Sequence, residues 1–105
     1  MGELMMGQSH GFDCSTPGDN QLIPARMNYP IQVCKIALTS WDAVDVYFKT
    51  QTNTLSGVFH FTAGGGLVLD GPEGFHLFTT GPGEAFIMNL SAGVRVTGTI
   101  WGAYG

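Results

Sequence analysis

The chain has 105 residues, 11% of them charged, with 16 glycines and a net charge of −4. That length supports one domain with one core, and the charged fraction is under half of the roughly 25% usual for a soluble domain. A nucleic-acid binder that works by phosphate neutralisation is excluded, because the four cations, Arg26, Lys35, Lys49 and Arg95, are scattered and form no basic stripe.

Residues 1–29 read as an extended N-terminal arm. Gly2, Gly7, Gly11, Pro17, Gly18 and Pro24 interrupt it, and no hydrophobic period is sustained. The start, MGELMMGQSHGFD, lacks the basic-then-apolar order of a secretory leader and the Ser or Thr of a myristoylation signal. No apolar run approaches the roughly 18 residues of a membrane span. The expectation is a chain made in the cytoplasm without a leader or membrane contact. The arm is nonetheless apolar at Leu4, Met5, Met6, Phe12, Leu22 and Ile23, the side chains expected to lie on a partner. Residues 30–105 are expected to fold as the domain proper.

From Pro30 the chain becomes a succession of short strand-like runs. Ile31–Thr39 has Ile31 and Val33 in one phase and Cys34, Ile36 and Leu38 in the other, and a phase slip of this kind predicts a β-bulge. Val44–Thr50 alternates Val44, Val46 and Phe48 against Asp45, Tyr47 and Lys49. Leu55–Thr62, Leu67–Asp70, Phe75–Thr79 and Glu84–Asn89 follow. A last run from Val94 sets Val94, Val96, Gly98, Ile100, Gly102 and Tyr104 against Arg95, Thr97 and Thr99. The separators, TNT, AGGG, DGPEG, TGPGE and SAG, carry turn chemistry. Strands at this spacing with no helical period predict an all-β sandwich of seven or eight antiparallel strands. A jelly roll fits better than an immunoglobulin fold, whose Cys…Trp…Cys spacing is missing.

Cys14 and Cys34 can pair, but two cysteines are not the framework of a disulfide-stapled mini-protein. Cys34, in phase with Ile36 and Leu38, reads as a small core residue. His10, His60 and His76 suggest a metal, yet no HxH pair or acidic partner stands at ligand spacing, so no metal or cofactor is expected. AGGGLVLDGPEG is not GxGxxG and no helix follows it, which leaves a hairpin turn. Ser9/His10 and Ser56/His60 lack a nearby acidic third member for nucleophilic catalysis. Asp42, Asp45, Asp70 and Glu73 read as hydrated turn and edge carboxylates rather than a calcium site. The sequence thus predicts no enzyme.

Aromatic residues fall on both parities of the strand stretches, whereas one core takes one parity per strand. With so little charge, the excess predicts subunit contacts through Tyr47, Phe59, Phe78, Trp101 and Tyr104. Irregular pairing that buries these rings internally is the alternative.

The final third, GPGEAF followed by IMNLSAGVRVTGTIWGAY, resembles the C-terminal pattern of small tailed-bacteriophage proteins. The matching residues are Gly83, Glu84, Ala85, Asn89, Leu90, Ser91, Ala92, Val94, Val96, Gly98, Thr99 and Trp101. The resemblance covers about 30 residues and is to capsid decoration, or cement, proteins. It implies a jelly-roll body that assembles as a homotrimer, sits on the outer capsid surface of a virion and clamps neighbouring major capsid protein subunits. It carries over no catalytic residue. Two other readings stand beside it: a tail or neck virion component or receptor-binding tip, and a carbohydrate-binding module that uses Trp41, Trp101 and the tyrosines as stacking platforms.

Overall fold

The computed structural model describes residues 9–70 and 77–105, and among these it contains nine strands and no helix. In chain order they are β1 (Ser9–Cys14), β2 (Gly18–Ile23), β3 (Ile31–Ser40), β4 (Val44–Lys49), β5 (Phe59–Phe61), β6 (Gly66–Asp70), β7 (Phe78–Thr79), β8 (Phe86–Leu90) and β9 (Val96–Tyr104). One sheet has the order β1-β9-β3-β6, with β7 also paired to β3. The other has the order β2-β8-β4-β5. Every pairing is antiparallel. The protein is an all-β sandwich, as the alternation predicts.

Burial follows the period of two. In β4 the buried residues are Val44, Val46 and Phe48, with Asp45, Tyr47 and Lys49 on the other face. In β9, Val96 and Ile100 point inward between the outward Thr97, Thr99 and Trp101. The predicted bulge in β3 is present: its register against β9 shifts between Val33 and Lys35. Val33 and Ile36 are both buried on either side of that shift, so the extra residue keeps both halves of a ten-residue strand facing the core. Cys34 is the inserted residue. It is only half-buried and points its Sγ to the Trp101 carbonyl at 3.4 Å, which corrects its assignment to the core.

The core joins both sheets through Ile31, Val33, Ile36, Leu38, Val44, Val46, Phe48, Phe86, Met88, Leu90, Val96 and Ile100. Phe48 and Phe86 stack at 5.5 Å with an interplanar angle of 13°, and Phe59 and Phe78 close around Phe48 at 6.2 and 5.7 Å. Each fully buried side chain of this size stabilises the fold by roughly 1.5–3 kcal/mol before conformational entropy is counted. Three buried hydroxyls are satisfied locally. Thr80 accepts from the Ile31 amide at 2.9 Å, Ser40 donates to the Thr62 carbonyl at 3.1 Å, and Thr50 accepts from the Asn53 amide at 3.0 Å.

The arm expected over residues 1–29 does not hold for residues 9–23. These form β1 and β2, the edge strands of the two sheets, paired residue by residue with β9 and β8. Packing explains the difference. Phe12 and Cys14 face the core from β1, and Ile23 from β2 is 2% exposed, so the apolar residues of this segment cover the chain's own interior. Most strand boundaries shift by one or two residues, and two runs change more. Leu55–Thr62 narrows to β5, and the run Phe75–Thr79 is described only from 77 onward, as β7.

Candidate functional site: the outer faces of the two sheets

A sandwich spends its inward residues on the core, so whatever this protein recognises must meet outward residues, loops or edges. On the β1-β9-β3-β6 sheet the registers place three outward rows side by side. They run Ser9–Trp101–Lys35–Asp70, then Gly11–Thr99–Ala37–Val68, then Asp13–Thr97–Thr39–Gly66. The middle of this face is uncharged and built from small side chains. It forms a shallow concavity of about 430 Å³ lined by Ala37, Thr39, Gly66, Val68, Thr97 and Thr99. Val68 at its rim is 65% exposed.

Each end of the face carries a tryptophan and an ion pair. At one end the Lys35 ammonium lies 5.0 Å from the Trp101 ring and 4.0 Å from Asp70. At the other, Arg95 lies 4.3 Å from the Trp41 ring and pairs with Asp13 through both Nε and Nη2, the shorter bond being 2.7 Å. That guanidinium holds the Asp13 carboxyl below the usual carboxylate range, and Asp13 in turn raises Arg95. Arg95 and Trp101 stand six positions apart along the chain, a backbone rise of about 20 Å between the two ends of the face.

The β2-β8-β4-β5 sheet presents a different face. Lys49 contacts Asp19 at 2.9 Å, and the Asn89 amide donates to the same carboxylate at 2.7 Å. Asn89 first and Lys49 second lower the Asp19 pKa, and Asp19 raises that of Lys49. His60 sits opposite Asp45, with Nδ1 2.7 Å from Oδ1. Tyr47 lies beside Asn89 in register. This face is polar and internally paired.

The predicted site residues separate accordingly. Leu4, Met5 and Met6 lie outside the described residues, as do His76 and Glu73. Phe12 and Leu22 pack against the core and Ile23 is buried in it, so none of the three is a free partner-binding side chain. Phe59 and Phe78, assigned to a subunit interface, instead close the internal ring cluster with Phe48 and Phe86. Tyr104 packs partly against the core and donates its hydroxyl to the Pro24 carbonyl at 2.8 Å. Tyr47 and Trp101 do lie on outer faces. Ser56 accepts from the Phe48 amide and donates to the Gly57 carbonyl, a structural role. Ser9 and His10 point to opposite sides of β1. Among the described residues no group of three or more His, Cys, Asp or Glu side chains converges to hold a metal ion. The Asp45–His60 pair was missed in the sequence because it depends on the β4–β5 register. The paired ends of the first face follow likewise from three separate registers.

No protein-family model, curated protein or solved structure matches this chain.

Proposed function

We propose that this protein is a non-catalytic structural component of a tailed-bacteriophage virion, a capsid decoration protein that works as a homotrimer on the outer capsid surface. The uncharged outer face of the β1-β9-β3-β6 sheet carries this reading. Its charges are confined to the two ends and are already paired within the chain. What remains between them is a small-residue surface with Val68 uncovered. Such a face has no charge to desolvate, only the hydroxyls of Thr39, Thr97 and Thr99, and lets another β-layer approach to the roughly 10 Å of packed sheets. Three copies that turn this face toward a common three-fold axis bury it together.

Two further observations support the reading. Successive strands cross between the sheets at β1→β2, β2→β3, β3→β4, β5→β6, β7→β8 and β8→β9, an interleaving that supports the jelly-roll reading. The residues that resemble decoration proteins fall on β8, β9 and the turns beside them, and β8 and β9 are interior strands of the two sheets. In a trimer, three modest contacts with the major capsid protein combine by multivalency, which raises the load a shell withstands.

Analytical ultracentrifugation and co-sedimentation with capsids test the proposal. The parent chain should sediment as a trimer and pellet with capsids, and Val68→Asp should shift it toward monomer with little change in melting temperature. A parent chain that stays monomeric at high concentration and ignores capsids refutes it. One observation favours a second reading: Trp41 is 58% exposed with Arg95 against its ring, a platform on which a sugar can stack. A glycan array decides between the two.

A further inference from the structure

Between the two sheets, on the flank where edge strands β1 and β2 lie, the sandwich opens into a slot of about 290 Å³ lined by His10, Leu22, Ile23, Pro24 and Tyr104. Its walls are aliphatic and aromatic. Among the described residues its polar side chains are Tyr104, whose hydroxyl already donates to the Pro24 carbonyl, and His10, whose Nε2 is shielded from solvent and has no hydrogen-bond partner among those residues. A buried ring nitrogen left unpaired forfeits a hydrogen bond that it makes in water, so such a group calls for a partner.

The backbone at the rim is built around this slot. The β2–β8 register shifts between Gln21 and Ile23, which makes Leu22 the inserted residue of a bulge. Strict alternation would send Leu22 to the opposite face from Ile23. The bulge instead brings both side chains to the slot wall. The next residue, Pro24, is held by the Tyr104 hydroxyl on its carbonyl, which fixes a third wall. The opening is therefore preformed.

We propose that this slot is a binding site for a small, neutral amphiphile: an aromatic or aliphatic body with a single hydroxyl that pairs with His10 Nε2 once the imidazole turns that shielded nitrogen toward the slot. Size and chemistry both select this class. A cavity of about 150 Å³ takes benzene, so the slot accommodates a phenol with a short alkyl tail. Among the described residues neither acid nor base other than His10 lines the slot, and a charged ligand would lose hydration without a counter-ion from them. The hydroxyl serves either tautomer of the imidazole, as donor to a bare nitrogen or acceptor from a protonated one. The site is independent of the outer sheet face and of the virion reading.

The test is a titration of the full chain with 4-ethylphenol, and separately with ethylbenzene, followed by amide and imidazole nitrogen NMR shifts. Saturable movement should centre on His10, Leu22 and Tyr104, with affinity on the order of millimolar for so small a ligand. Ethylbenzene should bind about three- to ten-fold more weakly, the worth of one hydrogen bond. His10→Phe, which keeps a ring but removes the nitrogen, should erase that preference for the phenol. Leu22→Trp, which fills the slot, should abolish binding of both probes while a cooperative melt is retained. Shifts that never saturate, equal affinity for the two probes, or a His10 Nε2 already engaged by a fixed water or by residues 1–8 that 4-ethylphenol does not displace would each overturn the proposal.

Discussion

The ring of Phe12 lies over Gly98, its partner in the β1–β9 register, so that a Cβ added at Gly98 would come within 2.9 Å of Phe12 Cζ. The same Cβ would meet Leu38 Cα at 2.9 Å and collide with the Ala37 carbonyl. Two of the three obstacles are backbone of β3 and cannot swing aside. Glycine at 98 is thus what lets β1, β9 and β3 lie together with an aromatic ring across them.

Gly98→Ala should therefore destabilise the sandwich by at least about 1–3 kcal/mol, the usual cost of forcing an extra methyl into a packed site. For a domain of this size that lowers the melting temperature by roughly 4–8 °C per kcal/mol. Differential scanning calorimetry checks it, and a variant melting within a degree of the parent contradicts the close-approach argument.

The internal ring cluster gives a second expectation. Phe48→Ala should cost about 3–5 kcal/mol, because it leaves a cavity facing Phe59, Phe78 and Phe86 at once. Phe59→Ala should cost less, since that ring is only half-buried. Trp101→Ala, on an outer face, should leave chemical denaturation nearly unchanged and, if the trimer proposed above forms through this face, should weaken it instead. Urea midpoints for the three variants should rank in that order.

Acid should weaken the fold from about pH 4 downward. Asp13 is held down by Arg95, Asp19 by Asn89 and then Lys49, and Glu84 by the Thr52 hydroxyl and, less strongly, the Gly81 amide. A carboxylate with a lowered folded pKa contributes stability above its unfolded value, near 4, and loses it as pH falls through the folded value. All three are surface groups, so the decline should be shallow and should flatten in high salt. Melting temperatures between pH 6 and pH 2, at low and high ionic strength, measure this.

Cys14 and Cys34 should remain reduced within one chain. Cys14 sits opposite Val96, near the start of β9, whereas Cys34 lies beside Trp101, five residues further along that strand. That separation, about 17 Å along the strand, is well beyond the reach of a disulfide. Burial also pushes the Cys14 thiol up, so it should react slowly with iodoacetamide at pH 8. Mass spectrometry of the alkylated, unreduced chain should find two modified thiols after denaturation, and an intramolecular bridge would contradict the register.

Strands whose inward residues are large and β-branched were readable from alternation alone, as β3, β4 and β9 show. The bulge was equally visible, because Val33 and Ile36 break phase within one apolar run. β1 and β2 were not, since SHGFDC and GDNQLI carry Gly, Asp and Asn, residues poor in strands. His10, Phe12 and Cys14 nonetheless keep a period of two, the signal that composition concealed. The aromatic surplus was misread because parity was pooled across strands. Phe59 and Phe61 share one side of β5, and among the aromatic residues of the described strands only Tyr47 and Trp101 oppose their strand's core face. The outer-face rows and the Asp45–His60 pair exist only once registers are fixed, and single-sequence periodicity does not encode which strands are neighbours.

The closure of β1 on β9 and of β2 on β8 has a consequence during synthesis. A ribosome delivers β1 and β2 long before either of their neighbours exists, so these strands must wait, exposed, for β8 and β9 to emerge. Such distant pairing makes folding slow, on the scale of milliseconds to seconds. The Asp, Asn and Gln of the waiting strand β2 help keep it dissolved until then.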